Sequence, residues 1–342
     1  MRLDRLQNPP INRDLNAHLL ERETQNLSPI SQAAFLKNQK DLEALSQFFG
    51  GESGGNFGFS SADFTELFVR LKDFHIGFAL SNHQQAYEAY KLCKNFCKIS
   101  PILPDKTEGI ILDLPHCDVY IIPYINQDLL TSNPISKLKS QILELNPQAL
   151  LIIDISYALR DAIPLDFQLD EQSIFLCDGE SLGFLRGYGL FLSPLKLCSL
   201  FPRVRYIDGF YEKFLQELQK SQAKQVKQVD EKVMFFEELK KILKDDLSLF
   251  APIKHCAANT LPLRLKGIKA RNLLQSLYLE KIFAINGQEC LFGFSSPSFV
   301  LQEMGYTQSQ ARELLSLSFD HFEPNVAQKL AKHYQDLKNL EI

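Results

Sequence analysis

Two rhythms of apolar and polar positions alternate along the first half of the chain. Thr65 to Phe74 and His83 to Phe96 carry apolar side chains at three- and four-residue spacing, which predicts amphipathic helices. Ile76 to Leu80, Asp118 to Ile122 and Leu150 to Ile155 are short apolar or β-branched runs, which predict buried strands. Such strands alternating with such helices imply βαβ units and a mostly parallel sheet covered on both faces. Ligands of these sheets bind beyond the carboxyl ends of the strands.

The pattern changes after Phe210. From there to Leu247 the chain is rich in Lys, Gln, Glu and Asp, and a helical repeat of apolar positions runs through Phe214, Leu218, Val226, Val229, Val233 and Leu239. This predicts one long helix or two in series. Beyond Pro252 the expected elements are a strand Thr260 to Leu265, a helix Ala270 to Leu279 and a strand Ile282 to Ile285. A helix Pro297 to Met304, a strand Leu314 to Phe319 and a closing helix to Leu340 follow, which together read as a smaller α+β domain. Gly50 to Gly58, GGESGGNFG, reads as a flexible loop leading into a strand. The expected division is a large α/β domain over 20–209, with 1–19 and 210–342 forming a linker helix and the small domain.

Composition narrows the function classes. A net charge of −4 with no basic run offers no general attraction to nucleic acid or anionic lipid. The longest apolar runs, such as Ala149 to Ile155, fall short of the ~20 residues that span a bilayer. The N-terminal MRLDRLQNPPINRDL has neither an apolar h-region nor a small-residue cleavage site, so the expectation is a cytoplasmic protein. Its seven cysteines are then thiols, and their irregular spacing gives no zinc ligand set.

The stretch AINGQECLFGFSSPSFVLQEMGYTQSQARELLSLSF carries more specific information. With Gly287, Cys290, Pro297 to Leu301, Met304, Gly305 and Leu315 to Phe319 in order, it resembles the C-terminal domain of cysteine desulfurases. These are class V aminotransferases of the pyridoxal-phosphate fold type I. The resemblance runs through most of the chain. FSSADFTEL, Phe59 to Leu67 with Thr65, resembles the turn that binds the cofactor phosphate, and His83 stands where the family has its stacking histidine. Asn126 in PYINQDLLTSNPI resembles the cofactor-contacting asparagine, and Asp154 in LLIIDIS the aspartate that pairs with the pyridine nitrogen. DGESLGFLRGYGLFL from Asp178 resembles the lysine motif. The resemblance implies pyridoxal phosphate as cofactor, Cys290 as a persulfide cysteine, and a homodimer.

The motifs also depart from the family. Aligning Gly187 and Gly189 puts Ser181 where the Schiff-base lysine belongs, and no lysine occurs between Gln168 and Leu195. Serine forms no imine. Asp178 and Glu180 replace phosphate-binding Ser and His, and two carboxylates would repel a phosphate dianion. Tyr157 replaces a glutamine, Ser316 a substrate-binding arginine, and Tyr206 to Glu212 show no counterpart of the loop that reaches across the dimer.

Each position also has a plainer reading. Asp154 can cap the following turn, His83 can start a helix, Asn126 can be a turn residue, Asp178 and Glu180 a solvated turn, and Cys290 a small buried hydrophobe. Two function classes stay open. One is a protein with no pyridoxal-phosphate catalysis, in which the cofactor is not bound covalently and the role is scaffolding or binding a protein partner in sulfur handling. The other is an active desulfurase or aminotransferase-type enzyme, or a sulfur carrier using Cys290. For the carrier, Glu289 beside the thiol is expected to raise its pKa by like-charge repulsion.

Overall fold

The computed structural model of the chain describes residues 1–22, 31–161, 163–201, 207–225, 230–293 and 296–340. Tyr206, Val226 and Val229, singled out above, lie outside the described residues.

Seven strands form the larger sheet: β1 (Ser53–Asn56), β2 (Ile76–Ala79), β3 (Ile99–Ile102), β4 (Val119–Pro123), β5 (Leu150–Asp154), β6 (Ser173–Asp178) and β7 (Gly189–Ser193). Their order is β1-β7-β6-β5-β4-β2-β3. β3, β2, β4, β5 and β6 run parallel, while β7 pairs antiparallel with both β6 and β1. The central strands β2, β4 and β5 are almost wholly apolar because both faces are covered, whereas β1 and β3 are the edge strands. In β4, Val119 and Ile121 enter one core and Tyr120 and Ile122 the other, and β5 and β6 divide in the same way. This is the doubly covered, mostly parallel sheet that the alternation predicts.

The Gly50 to Gly58 segment departs from expectation. Part of it is β1 itself, paired residue for residue with β7. Its glycines serve close approach rather than freedom: a Cβ on Gly54 would meet the Phe191 carbonyl oxygen at 2.3 Å.

A second, antiparallel sheet contains β8 (Leu247–Leu249), β9 (Thr260–Leu265) and β10 (Leu314–Ser318) in the order β10-β9-β8. Helices Lys232–Leu243, Ala270–Leu279 and Pro324–Leu340 pack on it around a third core that includes Leu239, Leu263, Leu273, Leu317 and Leu330. The apolar repeat after Phe210 gives two helices, Phe210–Gln225 and Lys232–Leu243. The first carries Phe210, Phe214 and Leu218 into a core of the larger sheet.

Ile282 to Ile285 do not form the expected strand. Phe283 bridges to Arg2, and Ile285 to Ser316, as isolated pairs. The reason is a discontinuous partner: the N-terminal segment lies alongside, with Leu3 N–H donating to the Phe283 carbonyl at 2.7 Å and Arg5 N–H to Ser318 at 3.1 Å. Among the described residues, no helix is long and apolar enough to cross a membrane.

Candidate functional site

Because β2, β4, β5 and β6 run parallel, their carboxyl ends deliver His83, Asn126 to Asp128, Asp154 and Asp178 to one edge of the sheet. A cavity of about 600 Å³ opens there, closed on its other sides by the N-terminal segment and by residues between Arg271 and Leu291. His83, Ser181 and Cys290 line it, together with Tyr157, Asp178 and Glu180.

Asp154 ends β5 and is buried. One of its oxygens accepts the backbone N–H of Ser156 at 2.9 Å and the Ser156 hydroxyl at 2.5 Å. The other accepts the side-chain amide of Gln127 at 2.7 Å. The Ser156 oxygen in turn accepts the Asp178 N–H at 2.8 Å, so β5 and β6 are tied at their ends. Burial raises the Asp154 pKa to about 6, against the lowering effect of these hydrogen bonds. The cap reading of Asp154 describes its Ser156 contacts, while Gln127 stands between the carboxylate and the cavity that it lines.

Ser181 is buried in the short 3-10 turn Gly179–Leu182, where its hydroxyl donates to the Asp178 carbonyl at 2.6 Å. The turn begins with Asp178, whose carboxylate accepts the Glu180 N–H at 3.0 Å. The solvated-turn reading is corrected here for Asp178, which is buried. Arg186 folds back so that its Nε meets Glu180 at 2.7 Å, and burial with the Glu180 charge pushes the Asp178 pKa well above that of an ordinary aspartate. His83 is the N-cap of helix Gln84–Cys93, its Nδ1 accepting the Gln85 N–H at 3.2 Å. Its Nε2 lies 4.0 Å from Asp178. Burial and then Arg186 lower its pKa to about 4, so the ring is neutral near pH 7.

Cys290 lies half-buried in the 3-10 turn Gln288–Phe292. Its pKa is raised, and the cause differs from the one expected. Burial dominates, and the charged neighbours are Arg271, which lowers it, and Asp4, which raises it. Glu289 turns away toward Gln84, 3.4 Å from its amide nitrogen.

Three sequence candidates do not line the cavity: Thr65, Asn126 and Asp154, the last lying behind Gln127. Thr65 sits in helix Ser61–Arg70 with its hydroxyl on the Ser61 carbonyl at 2.7 Å. That helix is capped within the chain: Asp63 accepts the Ser60 N–H at 3.0 Å, Ser60 Oγ accepts the Asp63 N–H at 3.2 Å, and Gln85 takes the Ser61 N–H at 3.2 Å. Asn126 is a turn residue whose Oδ1 accepts the N–H groups of Asp128 and Leu129, both at 3.0 Å. Ser316 donates to the Asp128 carbonyl at 2.6 Å.

Sequence reasoning missed Gln127, Asp128, Arg186 and Arg271. The first two adjoin Asn126 in the quoted motif and Arg186 lies within another, but no family role pointed to them. Asp128 is buried and ties the loop after β4 to the C-terminal part of the chain: it accepts the Gln288 N–H at 2.8 Å and the Ser298 hydroxyl.

These residues do not fit an imine-linked pyridoxal phosphate. No lysine lines the cavity among the described residues, and Lys196 pairs with Glu171 at 2.8 Å in a separate surface depression. Both Asp154 oxygens are engaged, and the helix that would receive the phosphate carries its own carboxylate cap.

No family model matches the chain, and no curated protein matches it. Solved structures do. A NifS-like protein superimposes with a TM-score of 0.75 at 13% identity over 99% of each chain. A NifS-like protein from Rickettsia africae gives 0.71 at 15% identity over 99% of each. A cysteine desulfurase from Thermococcus onnurineus gives 0.68 at 10% identity, over 99% of this chain and 94% of the other. The fold is thus the class V aminotransferase fold, a pyridoxal-phosphate fold type I architecture. Within that class it is the fold of the NifS-like cysteine desulfurases.

Proposed function

We propose that this chain is a desulfurase-fold protein that works without an imine-bound cofactor, as a homodimeric scaffold that binds a protein partner in sulfur handling in the cytoplasm. The observation that carries the reading is the joint state of Ser181 and Asp154. The first is spent on its own turn and the second is covered by Gln127. An amine for the imine and an open carboxylate for the ring nitrogen are both missing from the described cavity wall. The test is an absorption spectrum of protein purified with pyridoxal phosphate, followed by borohydride reduction and peptide mass analysis. The expected protein is colourless with no reduced adduct. A yellow, reducible protein overturns the reading. Light scattering is expected to give about 78 kDa, twice the 39.1 kDa chain, and a monomer mass removes the dimer.

A second reading rests on Cys290, whose thiol lines the cavity and makes the chain a sulfur carrier. Its raised pKa favours the first reading.

A further inference from the structure

The cavity retains polar groups without a partner among the described residues. The Gln127 side-chain oxygen is buried and has no hydrogen-bond partner among the described residues, although the residue lines the cavity. Its orientation is fixed by chemistry: the amide nitrogen must face the Asp154 carboxylate, which leaves the oxygen as an acceptor. A buried, unmet acceptor of this kind is costly unless something donates to it. Tyr157 also lines the cavity, and its hydroxyl makes no hydrogen bond among the described residues. Burial, followed by the charges of Asp154, Asp128, Asp178 and Glu180, keeps it protonated and therefore a donor.

The charges around the opening are mostly neutralised within the chain. Asp4 is held by Arg2 at 2.9 Å and Glu180 by Arg186 at 2.7 Å. Arg271 also lines the cavity, is exposed, and makes no hydrogen bond or ion pair among the described residues. The remaining wall is apolar, with Leu6, Leu274, Ile282, Ile285 and Leu291. One buried acceptor, one hydroxyl donor, one spare guanidinium and an apolar wall define a complementary ligand.

We propose that the cavity binds a small N-acylated amino acid or similar apolar amide-bearing carboxylic acid. The ligand's N–H donates to the Gln127 oxygen, its amide carbonyl accepts from Tyr157, and its carboxylate pairs with Arg271. The assignment rests on the reading that no imine-linked cofactor fills the same space.

The test uses the full-length protein and three probes in isothermal titration: N-benzoylglycine, its isostere 4-oxo-4-phenylbutanoate with CH₂ in place of N–H, and N-benzoylglycinamide without the carboxylate. N-benzoylglycine is expected to bind about tenfold or more tightly than either analogue, because each lacks one matched group. In Arg271→Gln, an exposed change that the fold tolerates, the acid and the carboxamide are expected to bind alike. The preference for N–H over CH₂ is expected to persist. No binding of N-benzoylglycine at millimolar concentration, or equal binding of all three probes, overturns the proposal. The failures are separable: a borohydride-reducible adduct sinks the cofactor reading, whereas colourless protein that ignores the probes sinks only the ligand class.

Discussion

Gln127 donates its amide N–H to Asp154 at 2.7 Å and thereby covers a charged acceptor at the end of β5 with a neutral amide. With Ser156 on the other oxygen, the carboxylate is satisfied entirely within the chain. A ring nitrogen could reach Asp154 only after that amide moved, and the Gln127 oxygen is buried with no partner among the described residues. Burying a carboxylate without a cation is unfavourable, and the hydrogen bonds offset that only in part.

The Asp154 pair has a signature in the pH dependence of stability. A folded pKa of about 6, raised from the ordinary 3.8, means that the unfolded chain ionises first as pH rises. Stability from this group is complete below about pH 4 and is lost progressively up to about pH 6. Cys177, Tyr157 and Asp178 surround it and shift in the same direction. Comparing wild type with Asp154→Asn isolates the group, since Asn keeps the Ser156 contacts and the Gln127 amide can turn over. Denaturant midpoints are expected to show wild type losing roughly 3 kcal/mol relative to the variant between pH 4 and pH 7. Parallel curves would mean that Asp154 ionises like an exposed aspartate.

Restoring the lysine alone is not expected to restore cofactor binding. Ser181→Lys with Asp178→Ser and Glu180→His supplies the amine and removes two carboxyls, yet leaves Gln127 over Asp154. The triple variant is expected to show little or no 400-nm-region aldimine band, and adding Gln127→Ala is expected to raise it. Equal bands with and without the fourth change would show that Gln127 is no obstacle.

Much of the larger sheet was legible because buried parallel strands read as continuous apolar runs, as Ile76 to Leu80 and Leu150 to Ile155 do. Gly54 was misread as flexible because its requirement, room for the Phe191 carbonyl, comes from a strand well over a hundred residues away. The pairing of Phe283 with Arg2 was invisible for the same reason. At the site, His83, Ser181 and Cys290 carried motif spacing and the structure brings all three to one cavity. Gln127 and Arg186 act through contacts made by tertiary folding, and Arg271 is brought to the cavity only by the packing of its helix, so although the first two lie within quoted motifs no local period marked their roles.

Asp128 ties the loop after β4 to the C-terminal part of the chain through three contacts: Gln288 N–H and the Ser298 hydroxyl on its carboxylate, and the Ser316 hydroxyl of β10 on its carbonyl. Asp128→Ala leaves two buried donors unmet and is expected to cost about 3 kcal/mol. Asp128→Asn keeps one acceptor, and the Ser298 hydroxyl can rotate to accept, so it is expected to cost about half as much. Denaturant unfolding checks both, and an unchanged midpoint for the alanine variant would remove Asp128 as the tie.

Cys290 decides between a scaffold and a sulfur carrier. A thiol must ionise to act as nucleophile or persulfide acceptor, and burial here works against ionisation. Arg271 pulls the pKa down and Asp4 pushes it up, so the balance depends on the same guanidinium that faces the cavity. The rate of iodoacetamide alkylation against pH, read from the Cys290 peptide, is expected to inflect above the ~8.5 of a model cysteine. Arg271→Gln is expected to move the inflection higher still, and Asp4→Asn lower. An inflection well below ~8.5 that disappears in Cys290→Ser would establish an activated thiol. The sulfur-carrier reading would then displace the scaffold.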